Sequence, residues 1–425
     1  MAFGCSGCMQ PSRTMDPAPL RPAAQLRSPV NTPVASEEVR RRIRDLAEEA
    51  GISTVHMLAW RDLDDDEAGG SEVHAHNIAS IWAQSGIEVT HRTSFSTGRP
   101  EEAEREGYRV VRRGSRYTVF PRAGVAEAVG RYGRCDGLVE IWNGMPFASP
   151  IWRRGPRMIW LHHIHGPMWG MSLPKPIAAG GVFLEERIGP LLYRNQPIVT
   201  LSRSSEQEML ELGFPAENIT VITPGVDPGY TPKGPKNPTP LAMAVGRLVP
   251  VKDFGRLVRI WASVVDKVPG AELVIVGEGY ERPDIEAEVS RLGIADSVRL
   301  PGRVSDDELL DLYRRSWVAT SASVREGWGM TLTEAAACGT PAVATDIAGH
   351  ADAVAEGRSG ILADSDDDLA AALVAVQTDE QLRHRLSAGA LETAAKLTWE
   401  HAAHANFEVL AAAARHRRWA TRHLH

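Results

Sequence analysis

Along residues 54–202, short apolar runs alternate with longer stretches in which apolar residues recur every three to four positions. A strand buried on both faces reads as a continuous apolar run, so this alternation predicts a mostly parallel sheet with helices on either side. The runs are Thr54–Trp60, Ile87–Thr93, Gly137–Trp142, Arg157–His162 and Pro197–Ser202. Between the first two, SEVHAHNIASIWAQSG reads as a helix capped by Ser71, striped by Val73, Ile78, Ile81 and Trp82, and ended by Gly86.

A second series starts at Leu241, with strands expected at Leu241–Val245, Glu272–Val276, Val298–Leu300, Trp317–Thr320, Pro341–Thr345 and Gly360–Leu362. The intervening PGYTPKGPKNPTP, residues 228–240, has neither period nor apolar content and reads as an interdomain linker. Ser305 and Glu308 form a capping box, and helical patterns near 365–377, 379–396 and 400–420 close the chain.

Length supports the division, since 425 residues exceed one ordinary core and suit two domains. A net charge of -7 removes the usual electrostatic case for nucleic-acid binding. Four cysteines, Cys5, Cys8, Cys135 and Cys338, are too scattered for a disulfide framework and point to a reducing compartment, the cytoplasm. No apolar run reaches transmembrane length. Residues 1–35, rich in Pro, Ser, Arg and Ala, are expected to form a disordered tail, with Met15 an alternative start. Cys5-x-x-Cys8 lacks a second ligand pair and is read as part of that tail.

Ligands of open α/β sheets bind beyond the carboxyl ends of the strands, so residues there take priority. After the first strand, Gly69-Gly70 before a helix makes an anion-binding turn or a flexible acidic loop. Asp62, Asp64, Asp65 and Asp66 in the same loop are read as solvated rather than metal-binding. After the fourth strand come His162, His163 and His165, of which alternation sends His162 and His163 to opposite sides. Gly246, Arg247 and Lys252 open the second half with two cations, a guanidinium fork and an ammonium suited to a diphosphate. Gly277-Glu-Gly279 reads as a tight turn beside the same crevice. In Glu326-Gly-Trp-Gly-Met-Thr-Leu-Thr-Glu334, a glycine-broken loop runs into a helix start between two carboxylates, which offers amides to an anion and acids to hydroxyls.

Taken together, GGSEVHAHNIA, LSRSSEQEMLELGFPAENITVITPGVD, GRLVPVKD, the stretch from residue 272 that ends LPGRVSDDEL, and EGWGMTLTEAAACGTPAVATD resemble the family 4 retaining glycosyltransferases, from about residue 54 to 415. The resemblance implies an α/β GT-B fold, two Rossmann-like domains facing across a donor-binding cleft. It implies residues 36–227 as the acceptor domain, 241–398 as the nucleotide-sugar domain, and 399–425 as a helix crossing back. It further implies that Arg247 and Lys252 bind the diphosphate, aided by Gly69, Gly70 and Gly246 and by the amides of Gly329 and Met330. Glu334 would take the ribose, Glu326 the transferred sugar, and Arg303 and Val304 the base, with His162, or His163 in its place, on the sugar. Pro224 stands where the family usually has asparagine.

The expected activity is metal-independent, cofactor-free transfer of a hexose from a UDP-, GDP- or ADP-sugar to a hydroxyl acceptor. A nucleotide-sugar epimerase and a non-catalytic sugar-nucleotide scaffold are the alternatives. Arg40–Arg44 and the arginine-rich last helix raise the option of contact with the inner face of the cell membrane.

Overall fold

The structure, a computed structural model, describes residues 32–166 and 168–423. The first sheet takes its strands from β1 Thr54–Leu58, β2 Glu88–Thr93, β3 Glu102–Arg105, β4 Tyr108–Arg112, β5 Gly137–Trp142, β6 Arg157–Leu161, β7 Ile198–Thr200 and β8 Ile219–Val221. Their order is β3-β4-β2-β1-β5-β6-β7-β8, parallel except for the β3–β4 hairpin. The second sheet comprises β9 Leu241–Val245, β10 Glu272–Val276, β11 Val298–Gly302, β12 Val318–Ser321, β13 Ala342–Thr345 and β14 Gly360–Ala363. It runs β11-β10-β9-β12-β13-β14, parallel throughout.

Burial follows the reading of continuous apolar runs: every residue of β5 and of β6 is buried. One core lies between the first sheet and the helices Glu37–Ala50, Gly70–Gln84 and Trp399–His423. There the Trp82 ring meets Phe407 edge-on and the Trp82 indole N–H donates to the Ala403 carbonyl at 2.9 Å. The chain thus enters the second sheet after Asp227 and returns at Trp399, with Val226 and Thr398 bridged where the two crossings run side by side.

Several expectations change. Strands β3 and β4, which pair over Glu102–Arg105 and Tyr108–Arg112, were not among the expected strands. Strand β8 escaped notice because its three residues are too few for a period. Residues 1–31, with Cys5, Cys8 and Met15, lie outside the described residues; within 32–35, Ala35 is buried and its N–H donates to Gln84 at 2.9 Å. Arg40, Arg41, Arg42 and Arg44 pair with Glu37, Asp45 and Glu38 of their own helix, so the helix carries its own counter-charges. Among the described residues no helix is long and apolar enough to cross a membrane.

Candidate active site

The carboxyl ends of the two sheets face one another, and loops from both meet between them. From the first domain comes the turn before helix Gly70–Gln84. Its N-cap is Gly69, not Ser71. A glycine has no side chain to cap with, and Glu72 supplies the oxygen instead, accepting from the Gly69 N–H at 2.7 Å. Ser71 is free to donate to Glu72 at 2.8 Å and to accept from Asn143 at 3.1 Å. Glu72 also draws Arg61, whose Nε lies 3.4 Å away.

Of the four aspartates in the loop ahead of this turn, only Asp66 is exposed, whereas composition suggested that all are solvated. Asp62 is fully buried and takes both Nε and Nη2 of Arg112, at 3.0 and 2.6 Å. Asp64 takes Arg112 and Arg105. Arg303 of the second domain donates to the Asp66 carbonyl, so the same loop links both halves. Val304, beside it, packs against the Leu309–Tyr313 core.

From the second domain, Gly246 and Arg247 follow β9, and the single turn Pro250–Lys252 precedes helix Phe254–Val265. The Gly277–Gly279 turn lies directly beside them, the Gly246 N–H donating to Val276 and the Leu248 N–H to Glu278. Helix Met330–Ala337 starts from Gly329. Lys252 Nζ is ion-paired with Glu326, which also accepts from Ser323 at 2.8 Å. Burial pushes the Glu326 carboxyl up, but Lys252, His350 and Ser323 outweigh it and hold it below the usual range. Glu334 accepts from the Tyr313 hydroxyl at 2.7 Å. Burial first, then the neighbouring Arg61, pulls Arg247 below its ordinary value, although Glu72, Glu67 and Glu326 act the other way.

The halves approach closely at two glycines. A Cβ on Gly70 would lie 2.8 Å from the Met330 sulfur, and one on Gly327 would lie 3.0 Å from the His162 carbonyl and 3.2 Å from His163 Nδ1. Methionine is flexible, so Gly70→Ala should be tolerated. Gly70→Val should force the gap open and cost about 10-fold or more in kcat/KM at unchanged Tm, read by steady-state kinetics, since displacements near 1 Å cost up to ~10²-fold.

The histidines divide as alternation implied. His162 packs edge-on against His74 at 5.0 Å, on the side of helix Gly70–Gln84 and Glu72. His163 stacks on His165 at 4.7 Å and lies near Lys252 and Arg325. Burial lowers His162 to about 4 and His163 well below its ordinary value, so both rings are neutral at pH 7. His165 and His91 are lowered to about 4 and His76 to about 3, again chiefly by burial. In the unfolded chain these rings titrate near 6.5. As pH falls from 6.5 to 4 the unfolded state takes up protons first, so stability must fall with it. The urea midpoint should decline steadily across that window, and a midpoint flat down to pH 4.5 would mean that the rings are solvated.

Sequence reasoning did not single out Arg61, Glu72, Ser323, Tyr313 or His350. Nor did it find Arg325, which donates to the Ile164 carbonyl at 2.9 Å and pairs with Glu208 across the cleft. Position immediately after a strand would have flagged Arg61 and Ser323. The partners of Arg325 are set by tertiary structure alone.

Two parallel sheets whose loop-bearing ends confront each other across cations, carboxylates and a helix start are the layout of GT-B glycosyltransferases. The pattern described as Glycosyltransferase Family 4 matches residues 68–230, and that described as Glycosyl transferases group 1 matches 231–393. A D-inositol 3-phosphate glycosyltransferase of Thermobispora bispora is 31% identical over 405 residues, covering 85% of this chain and 92% of the relative. Of several other relatives with that description, the matched stretch spans only about half the length. The chain belongs to the group 1 glycosyltransferases of family 4. It is an enzyme, a hexosyltransferase.

Solved structures agree on the fold. Sucrose-phosphate synthase from Thermosynechococcus elongatus superposes with a TM-score of 0.71 at 18% identity, covering 88% of this chain and 99% of that one. Anabaena Alr3699/HepE in complex with UDP-glucose gives 0.65 at 17% identity, covering 83% and 98%.

Proposed function

We propose that the protein transfers a hexose from a nucleotide diphosphate sugar to a hydroxyl acceptor with retained anomeric configuration and without a metal. The observation that carries this reading is the Lys252–Glu326 ion pair at the start of helix Met330–Ala337, opposed across the cleft by Gly70. Arg247 and Lys252 hold the diphosphate, together with Gly246, the Gly69–Gly70 turn and the amides of Gly329 and Met330. Glu334 accepts from ribose hydroxyls, Glu326 from the sugar, and Arg303 and Val304 flank the base. His162 is assigned to a sugar hydroxyl, since its Nε2 has no partner among the described residues. His163 Nε2 is likewise unpartnered and is the alternative.

Breaking the sugar–phosphate bond leaves negative charge on the diphosphate, and the two prepositioned cations and the helix-start amides stabilise it where it appears. The acceptor attacks from the face the diphosphate leaves, with the departing phosphate taking its proton. A closed cleft keeps water from competing. The name of the Thermobispora relative makes D-inositol 3-phosphate the first acceptor to try, and the Anabaena complex makes UDP-glucose the first donor. The absence of a spanning helix among the described residues fits a cytoplasmic enzyme drawing on cytoplasmic nucleotide sugars.

Thermal-shift titration with UDP, GDP, ADP and their hexose conjugates, followed by transfer assays, tests this reading. One nucleotide should raise Tm more than the others. Glu334→Ala should lower the affinity for it about 10-fold, the worth of one or two hydrogen bonds. Equal responses in wild type and variant, or donor binding with no transfer to any acceptor, would overturn it.

A further inference from the structure

On the face of the first sheet away from helix Gly70–Gln84, three side chains of different kinds converge. His56 sits in the middle of β1, between Thr90 of β2 and Leu138 of β5. Its Nδ1 lies 2.9 Å from each carboxylate oxygen of Glu127, near the end of helix Val119–Ala128. Cys135 enters from the segment leading into β5, packed beside the small core of Leu58, Val119, Ala123 and Leu138. The imidazole nitrogen, the carboxylate oxygen and the sulfur all lie within 4.8 Å of one another. The His56 and Glu127 side chains are only 3% and 2% exposed.

A buried histidine–glutamate pair needs no thiol, yet Cys135, which donates to the Gly137 carbonyl at 3.2 Å, also lies within bonding reach of His56. Sulfur, nitrogen and oxygen aimed at one point are the donors of a borderline-soft divalent cation. Bond lengths of 2.0–2.3 Å in a tetrahedron set neighbouring ligand atoms about 3.5 Å apart, so modest side-chain rotation suffices.

We propose that His56, Glu127 and Cys135 form a zinc-class metal site, remote from the transfer cleft, with water as fourth ligand. The metal takes the place of the thiol proton and of the proton shared by His56 and Glu127, and both are released on binding. Its effect is structural. The segment from Val129 to Arg134 is largely exposed and turns through Gly130 and Gly133 at φ of +64° and +93°. A bound ion would tie both ends of that segment to β1.

The test uses the full chain carrying Cys5→Ser and Cys8→Ser, treated with chelator and titrated with Co²⁺. One equivalent should bind, with a thiolate-to-cobalt charge-transfer band in the near ultraviolet and tetrahedral d–d bands in the visible. Cys135→Ser should abolish the charge-transfer band, and His56→Asn should weaken binding by at least about 10-fold, the lower end of losses at metal sites. Zn²⁺ should displace the cobalt and raise Tm in the parent but not in Cys135→Ser. Absence of the band in the parent, or its persistence in Cys135→Ser, overturns the proposal. Should His56→Asn fail to fold, the Cys135→Ser comparison decides alone. Donor-induced thermal shifts, which report only on the cleft, should be the same in Cys135→Ser and its parent.

Discussion

Lys252→Ala is expected to lower kcat by about 10²–10³-fold, about 3–4 kcal/mol of barrier, the typical loss on removing one prepositioned charge donor. The ammonium is placed for this by two constraints. Its backbone lies in the single turn Pro250–Lys252, fixed ahead of helix Phe254–Val265, and its head group is held by Glu326. Charge on the leaving diphosphate grows only as the sugar–phosphate bond breaks, so the loss should fall mainly on kcat and less on donor affinity. Removing the ammonium leaves Glu326 with Ser323 and His350 as neighbours. Because the ion pair is partly open to solvent, the stability cost should stay near 1 kcal/mol, in the range of exposed pairs. Lys252→Arg restores a charge but not its position and should recover only part of the rate. Steady-state kinetics beside a melting curve separates these effects. A Lys252→Ala enzyme with wild-type kcat would remove the cation from the mechanism.

What could be read in advance follows the range of the interactions. Strands β5, β6 and β9 declare themselves as apolar runs because both faces are covered, and each is a local property of five or six residues. The start of helix Met330–Ala337 was marked by glycines next to it in the chain. The Gly69–Gly70 turn was legible as a helix start, but its cap was misassigned. Serine is the better intrinsic cap, yet Glu72, reaching back to Gly69, is what the fold uses.

Long-range polar pairing was not legible. Asp62 and Arg112 are fifty positions apart, and a run of aspartates beside a glycine pair is normally a solvated surface. Nothing local says that β3 and β4 fold back and carry two arginines onto it. The same holds for Tyr313 on Glu334 and for Arg325 across the cleft. Tyr313 is a buried core residue, and its hydroxyl acquires a meaning only once β12 and the helix after it are stacked alongside.

Arg112→Ala should be the most damaging single change outside the cleft, costing about 3 kcal/mol, the lower end for removing one partner of a buried ion pair, since Asp62 keeps Arg105 at 3.9 Å. Asp62 is wholly inaccessible, and two of its four bonding positions are filled by the Arg112 fork. The same guanidinium bonds the Pro100 carbonyl at 3.0 Å and Asp64 at 2.6 Å, so it joins the hairpin to the loop after β1. Arg112→Lys keeps the charge but cannot reach three oxygens in a plane and should lose a large part of that energy. The double change Asp62→Leu with Arg112→Met should cost less than Arg112→Ala, since it removes both desolvated charges together. There is a functional corollary, because the pinned loop runs directly into Gly69 and Gly70 and lends its Asp66 carbonyl to Arg303. Arg112→Lys, if folded, should therefore also bind donor more weakly. Chemical denaturation of the three variants, with donor titration of those that fold, gives the answer. A double variant less stable than Arg112→Ala would show that the pair contributes net stability rather than fixing the position of the turn.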